Sequence, residues 1–142
     1  MMITPYELVY KSAFPALRAM VARRLQEDYH LTQQQTAERL GVTQASISNY
    51  ARRTRGMMVD LESDPVVAAA ADEIAKGLAS EYHDDRDALR YMTEVLDYIR
   101  FNHLMCSLHG DIEPSFNTDG CTACDGALSM KNFDKLKPAT GN

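Results

Sequence analysis

The chain has 142 residues, of which 45% are apolar and 25% charged, the composition of a soluble globular protein of one ordinary domain or a small domain with an appendage. No run reaches the roughly 18 apolar residues of a membrane span, so we expect no membrane partner. The first residues lack the basic and apolar regions of a signal peptide. We therefore expect a cytoplasmic protein with reduced thiols, in which three cysteines favour metal or redox chemistry over disulfides.

The net charge of −5 is unevenly distributed along the chain. Residues 1–56 carry eight Lys and Arg against four Asp and Glu, a balance of +4, whereas residues 57–142 carry seven against sixteen, a balance of −9. A phosphate backbone responds to the local field more than to the global charge. The asymmetry predicts a basic interaction module joined to an acidic body.

The basic module reads as one helix followed by a helical hairpin. Pro15 suits the first turn of a helix, because its missing N–H costs nothing there, and the apolar residues after it share one face. Thr32 and Gln35 have the spacing of a capping box, so a second helix should begin there and end at Gly41. Thr43 can cap a third helix.

Two longer helices are predicted in the acidic body, and we expect them to form a dimer interface. Asp64 as N-cap and Pro65 as the first helical residue open one, which continues to about residue 79. The other covers residues 85–105. Five of its residues are spaced 3, 4, 3 and 4 apart, as along a helix–helix seam: Leu89, Met92, Leu96, Ile99 and His103. No alternating strand pattern occurs, and the chain from residue 106 onward reads as irregular.

The segment 32–53 has the steric pattern of a helix-turn-helix. Ala37 is small enough to let two helices approach, Gly41 makes the turn, and Ile47 and Tyr50 lock the second helix onto the first. The opposite face of that helix carries side chains that can read base edges in the major groove, and arginines follow where phosphates should run. The predicted DNA-binding residues are Gln33, Thr43, Gln44, Ala45, Ser48, Asn49, Arg52, Arg53 and Arg55.

All three cysteines lie in one segment, spaced as Cys106-x2-His109-x11-Cys121-x2-Cys124. Three thiolates and one imidazole can complete a tetrahedral zinc site, and paired x2 spacings are typical of structural zinc. An iron–sulfur cluster can use the same atoms and would suit a redox or iron sensor. The alternative to a metal site is that the cysteines are redox thiols or have no role. In this interpretation His109 is the fourth ligand, and His103 is a packed residue of the preceding helix.

The stretch "LTQQQTAERLGVTQASISNYARRTRG" resembles the Cro/C1 (XRE-type) helix-turn-helix, and the longer stretch from "FPALRAMVARRL" resembles small archaeal predicted transcriptional regulators. Members of that family tend to end in a C-x2-H…C-x2-C segment, which "CSLHGDIEPSFNTDGCTAC" matches. The further C-x2-C that members often carry before the position of Arg100 is missing here. The resemblance implies a helical DNA-binding domain, action as a dimer and an archaeal host.

No phosphate-binding loop, dinucleotide fingerprint, nucleophile elbow or zinc-protease motif occurs, so we expect no enzyme; catalytic zinc with Glu113 as a base is a remote alternative. The sequence predicts an all-α protein: a helix-turn-helix DNA-binding domain at 1–56, a helical dimerisation region at 57–105 and a metal-binding segment at 106–142. Its predicted function is sequence-specific regulation of transcription on double-stranded DNA. The alternative is an adaptor that binds the transcription machinery and has a zinc-stabilised tail.

Overall fold

The structure is a computed structural model that describes residues 2–52 and 59–125. Throughout this part of the chain the regular elements are helices and none is a strand, as the sequence predicts. The elements are α1 (Pro5–Leu8), a π-helical turn (Val9–Ala13), α2 (Phe14–Glu27), α3 (Gln33–Leu40), α4 (Gln44–Arg52), α5 (Pro65–Ala79), α6 (Asp85–Phe101) and α7 (Cys106–Ile112). None of these described helices combines the length and the apolar character that a bilayer crossing requires.

The chain is already helical upstream of Pro15, where the sequence predicts the first helix to begin. Thr4 and Glu7 form a capping box that starts α1, and α1, the π turn and α2 follow one another without a break. Pro15 does lie in the first turn of α2. Because it has no N–H to donate, a regular α-helix cannot continue through it, and the π turn widens the backbone just before it.

The hairpin that follows agrees with its predicted caps. The Thr32 hydroxyl accepts a hydrogen bond from the Gln35 N–H at 3.1 Å, and the Gln35 side-chain oxygen accepts one from the Thr32 N–H at 2.9 Å. Gly41 has a φ of 67°, a conformation that glycine adopts without steric cost. The Thr43 hydroxyl accepts from the Ser46 N–H at 3.1 Å and so caps α4.

Two apolar clusters hold these helices together, and α2 belongs to both. The larger one joins α2, α5 and α6, where Leu17, Val67 and Ile99 are fully buried. The smaller one joins α2 to the hairpin through Ala22, Ala37 and Ile47. The helix-turn-helix is therefore fixed to the rest of the molecule along one face of α2.

The predicted seam of α6 differs from the observed packing. Met92 and Ile99 are buried within the same chain, where α6 packs on α5 and on the π turn, but Leu89 is 59% exposed. The helix ends at Phe101, so His103 is not the packed helix residue that the spacing predicts. The buried stripes of both long helices are thus used within one chain, because α5 packs on α2 and α6 packs on α5 and the π turn.

The sequence predicts an irregular chain from residue 106 onward, but Cys106–Ile112 forms the short helix α7. Met105, 2% exposed, anchors the amino end of this helix in the larger core. His109 and Glu113, one turn apart, pair at its carboxyl end. These contacts are tertiary or depend on a helix already formed, which explains why the Gly, Pro and Asn content of the segment gives the wrong expectation.

Candidate nucleic-acid interface and metal centre

One face of α4 is packed and the other faces solvent. Ile47 is 1% exposed and sits against Ala22 and Ala37, with Tyr50 partly buried beside it. Since residues three and four apart share a helix face, this packing turns the opposite side of α4 outward. The hairpin thus has the arrangement of a helix-turn-helix: α3 and α2 support α4 from behind and leave its other face free to enter a groove.

The predicted base-reading residues lie on that outward face, with two qualifications. Gln44, Ala45 and Asn49 are exposed, whereas Ser48 is half-buried. The Thr43 hydroxyl is already engaged by the Ser46 N–H and lies 3.0 Å from the Ser46 hydroxyl, so it serves the helix cap first. Of the other predicted contacts, Gln33 is exposed at the start of α3. The side chain of Arg52, and all of Arg53 and Arg55, lie outside the described part of the structure.

Several arginines of the basic module make contacts inside the protein, and Arg24 and Arg39 make the most hydrogen bonds. Arg24 donates to both carboxylate oxygens of Glu62, at 2.9 and 3.1 Å, and also to Asp72 and to the Met20 carbonyl. These hydrogen bonds, which outweigh the effect of burial, raise the pKa of Arg24 above its ordinary value. Arg24 therefore ties α2 to the segment before α5 and to α5 itself, and its charge is neutralised there.

Arg39 joins the helix-turn-helix to the end of α5. Its Nη1 donates to the Leu78 carbonyl at 2.7 Å and to the Ser80 carbonyl at 2.6 Å, and lies 3.0 Å from Nδ1 of His83. The guanidinium thereby satisfies carbonyls that the end of a helix leaves without partners. Sequence reasoning missed both structural arginines, because a count of charges cannot tell a phosphate contact from an internal ion pair.

The three cysteines converge on one small cavity beside α7. Its volume is about 20 Å³, room for one ion or one water and far too little for an organic substrate. Cys106, Cys121 and Cys124 all line it, although fourteen residues of chain separate the first two. Both imidazoles of this region, His103 and His109, line the same cavity, as do Pro5, Phe116, Thr118 and Ala123.

His103 lies in the turn between α6 and α7 and points at Cys106. Its φ is 59°, in the left-handed region, and its Nδ1 is 3.4 Å from the Cys106 Sγ. On the other side of the ring, its Nε2 contacts the Asp125 carboxylate, directly after Cys124. The imidazole therefore bridges the two halves of the cysteine cluster, which the pattern of spacings does not reveal.

His109 has a different environment. It is 9% exposed, its Nε2 is 3.1 Å from the Glu113 carboxylate, and its ring stacks on Phe116 with 4.4 Å between centroids. Glu113 also accepts a hydrogen bond from the Ile3 N–H at 3.1 Å. Burial would raise the pKa of Glu113, but the hydrogen bonds from Ile3 and His109 outweigh it and hold this pKa below its ordinary value. Glu113 is thus engaged as an anchor, which leaves the remote idea of a catalytic base without support.

The surroundings of Cys106 and Cys124 favour the protonated form of their thiols. Burial raises the pKa of the Cys106 thiol, and the nearby Cys121 and Asp125 raise it further. Burial also raises the pKa of the Cys124 thiol, with Cys106 adding to the shift and Arg100 opposing it. A cation that binds here would therefore have to displace protons from at least two thiols, and its affinity would rise with pH.

The chemistry of the donor set fits a small thiophilic ion, but the side chains as placed do not form a finished site. Three sulfurs and an imidazole nitrogen are the ligands of structural zinc, and they share one ion-sized cavity. Within residues 2–52 and 59–125, however, no group of three or more His, Cys, Asp or Glu side chains is arranged to hold a metal ion. Binding would require these ligand atoms to move closer together.

Comparison with known proteins assigns only the amino-terminal part of the chain. Residues 15–56 match the family described as the ParB HTH domain. No curated protein and no solved structure matches the chain with significance. The match covers α2, α3 and α4, which are the helices that form the packed hairpin described above. This protein therefore contains a helix-turn-helix DNA-binding domain at residues 15–56, of a type similar to that of ParB.

Proposed function

We propose that the protein is a transcriptional regulator that recognises a specific double-stranded DNA sequence through α4. The observation that carries the proposal is the outward face of this helix, where Gln44, Ala45 and Asn49 are exposed on a helix held rigidly by Ile47. Glutamine and asparagine can form bidentate hydrogen bonds to adenine, and alanine can contact the thymine methyl group. The match to the ParB HTH domain supports DNA binding. The finer resemblance to the Cro/C1 type, the archaeal host and the cytoplasmic location belong to the same proposal.

The regulator would act as a homodimer, with two copies of α4 about 34 Å apart on one side of the duplex. Since the stripes of α5 and α6 are buried within the protomer, the dimer needs another apolar surface. Tyr6, Tyr10 and Leu89 are between 59% and 77% exposed, and Tyr91 and Phe101 are each 39% exposed. Such residues on α1, the π turn and α6 support an interface on the outer side of these elements.

The cysteine cluster would hold one metal centre, either zinc or an iron–sulfur cluster, with zinc as the first expectation. A permanent zinc ion would offset the entropic cost of ordering residues 113–125, which contain few buried apolar side chains. An iron–sulfur cluster would instead make DNA binding depend on redox state or iron supply. The convergence of three thiols on one cavity of about 20 Å³ supports a single ion-sized centre.

DNA recognition is tested by selecting binding sites from a random duplex pool with the full-length protein and measuring affinity at several salt concentrations. Gln44→Ala and Asn49→Ala should each weaken binding to the selected site by about 5- to 150-fold, with little effect on unrelated DNA. Thr93→Ala, an exposed polar position on α6, is the matched control and should leave affinity unchanged. If sequence-specific binding survives both α4 substitutions, the recognition surface is elsewhere.

The same experiment separates a regulator from an adaptor of the transcription machinery. A regulator that neutralises phosphates must lose affinity steeply as salt rises. An adaptor would bind no duplex selectively and show no such salt dependence, and its acidic body, residues 57–142, would be the partner surface.

The identity of the metal is tested by anaerobic purification followed by elemental analysis and visible absorption. A colourless protein with one zinc per chain supports a structural role, and removal of the zinc should then unfold the carboxyl-terminal segment. A brown protein with iron and acid-labile sulfide supports a sensor. A protein with neither metal after reconstitution with each would overturn the metal half of the proposal.

A further inference from the structure

We propose that His103, oriented by Asp125, and not His109, completes the metal site with the three cysteines. This inference rests on the proposed metal centre and names its fourth ligand. It departs from the spacing of the sequence, in which His109 forms the C-x2-H pair with Cys106. Three features of the structure carry it: the backbone of His103, the position of its two ring nitrogens, and the competing contacts of His109.

The backbone of His103 is held in a conformation that usually requires glycine. The Leu104 N–H donates to the Ile99 carbonyl and the His103 N–H to the Arg100 carbonyl, each at 3.1 Å, which is the Schellman motif that ends a helix. The residue at the centre of this motif has positive φ and is most often glycine. A histidine there, with a φ of 59°, turns its ring back over the first turn of α7 toward Cys106.

The distance between His103 and Cys106 is that of two ligands on one tetrahedral ion. Zinc–nitrogen and zinc–sulfur bonds of about 2.0 and 2.3 Å, at a tetrahedral angle, place the two ligand atoms about 3.5 Å apart. The observed separation between His103 Nδ1 and Cys106 Sγ is 3.4 Å. Cys121 and Cys124 line the same cavity from the non-helical segment after α7.

The second ring nitrogen of His103 has the partner that metal-bound histidines usually have. When Nδ1 binds the metal, Nε2 carries the proton and donates it in a hydrogen bond to the Asp125 carboxylate, which it already contacts. Such a carboxylate fixes the tautomer and orientation of the ring and makes the nitrogen a stronger ligand. Because Asp125 directly follows Cys124, the metal and this hydrogen bond would both connect the turn at Cys124 and Asp125 to His103, in the turn after α6.

His109 is occupied by a structural role instead. Its Nε2 faces Glu113, its ring is covered by Phe116, and Glu113 continues the contact to the backbone of Ile3. Use of Nε2 as a metal ligand would break the pair with Glu113 and leave a buried carboxylate with one partner fewer, and among the described residues it is Nδ1 of His103, not of His109, that lies within hydrogen-bonding distance of a cysteine sulfur. His103, which has a side chain 41% exposed, reaches Cys106 with no such loss.

The test uses the full chain loaded with zinc alone, and three variants with one control. His103→Asn keeps the positive φ, which asparagine tolerates, and removes the imidazole. His109→Gln and Asp125→Asn complete the set. The control is His30→Asn, because His30 also has a positive φ, of 56°, but lies outside the cavity. Zinc affinity is measured by competition with a chromophoric chelator, and circular dichroism verifies that each variant is folded.

His103→Asn should weaken zinc binding by at least about 100-fold and Asp125→Asn by about 10- to 100-fold. His109→Gln and His30→Asn should stay within about threefold of the wild type. X-ray absorption at the zinc edge should retain the imidazole scattering in His109→Gln and lose it in His103→Asn. The opposite pattern, with imidazole scattering lost only in His109→Gln, overturns the inference and leaves the metal site intact. A wild-type chain that binds neither zinc nor iron refutes the metal site itself. Asp125 lies outside every helix, so its variant keeps the test decisive if His103→Asn does not fold.

Discussion

Replacing Arg24 by alanine should destabilise the protein by about 2 kcal/mol, because it removes the ion pairs with Glu62 and Asp72. Arg24 is 14% exposed and forms a two-pronged pair with Glu62 at 2.9 and 3.1 Å, and a charge-assisted pair of this geometry is worth about 1.5 to 2 kcal/mol. Asp72, 64% exposed, adds only a few tenths of a kcal/mol because solvent screens it. Glu62 keeps its contact with Arg23, which limits the loss.

The neighbouring arginine gives a matched control. Arg23 contacts Glu62 through a single pair at 3.4 Å, and its side chain is 36% exposed, so Arg23→Ala should cost less than about 0.5 kcal/mol. Both variants are compared by urea denaturation, with the slope of the transition monitored to verify that the same surface unfolds. A double-mutant cycle of Arg24→Ala with Glu62→Gln should give a coupling of at least about 1 kcal/mol.

The reasoning fails if the two arginine variants lose the same stability, or if the coupling with Glu62 is zero. Either result would mean that the two-pronged geometry contributes no more than an ordinary surface ion pair. The joint between α2 and α5 would then depend on apolar contacts alone, with Leu17 and Val67 at its centre.

Two further predictions concern the helix-turn-helix. Ile47→Ala should remove about 2 to 5 kcal/mol of stability, because Ile47 is 1% exposed and is the largest of the buried residues described in its cluster, the others being Ala22 and Ala37. DNA binding should weaken in parallel when both are measured at one temperature. Gly41→Ala should cost about 1 kcal/mol and Gly41→Asn less, because asparagine tolerates a positive φ better than alanine. No atom lies within 4 Å of an added Cβ, so the cost comes from the backbone conformation, and equal costs for the two variants would contradict this reasoning.

The sequence predicts well those parts of the fold that depend on neighbouring residues. Thr32 with Gln35, Gly41, and Asp64 with Pro65 each define a helix end through contacts within four residues, and the structure has α3 and α5 beginning or ending there. The buried stripe of α5 follows from helical periodicity alone. Thr4 and Glu7 also have the spacing of a capping box, and this spacing is sufficient to predict the start of α1.

The parts that differ depend on contacts between distant residues. The end of α6 is marked by no glycine or proline, since His103 takes the left-handed position instead. The 3, 4, 3, 4 spacing of apolar residues in α6 includes His103, so it does not indicate that the helix ends at Phe101. The contact of His103 with Cys106 depends on one φ angle and on the Asp125 carboxylate, and the spacing between cysteines encodes neither.

The hydrogen bond from Ile3 to Glu113 has a structural consequence. It joins the cysteine-lined cavity to the amino end of a helical stretch that runs from Pro5 to Glu27, about 34 Å at 1.5 Å per residue, and ends against the DNA-binding hairpin. The π turn interrupts the regular α-helical hydrogen-bond pattern of this stretch, and there the Ser12 hydroxyl is buried with no hydrogen-bond partner in the described structure. One end of this stretch thus lies against the cysteine-lined cavity, where Pro5 is a lining residue, and its last helix, α2, packs on α3 and α4 of the hairpin.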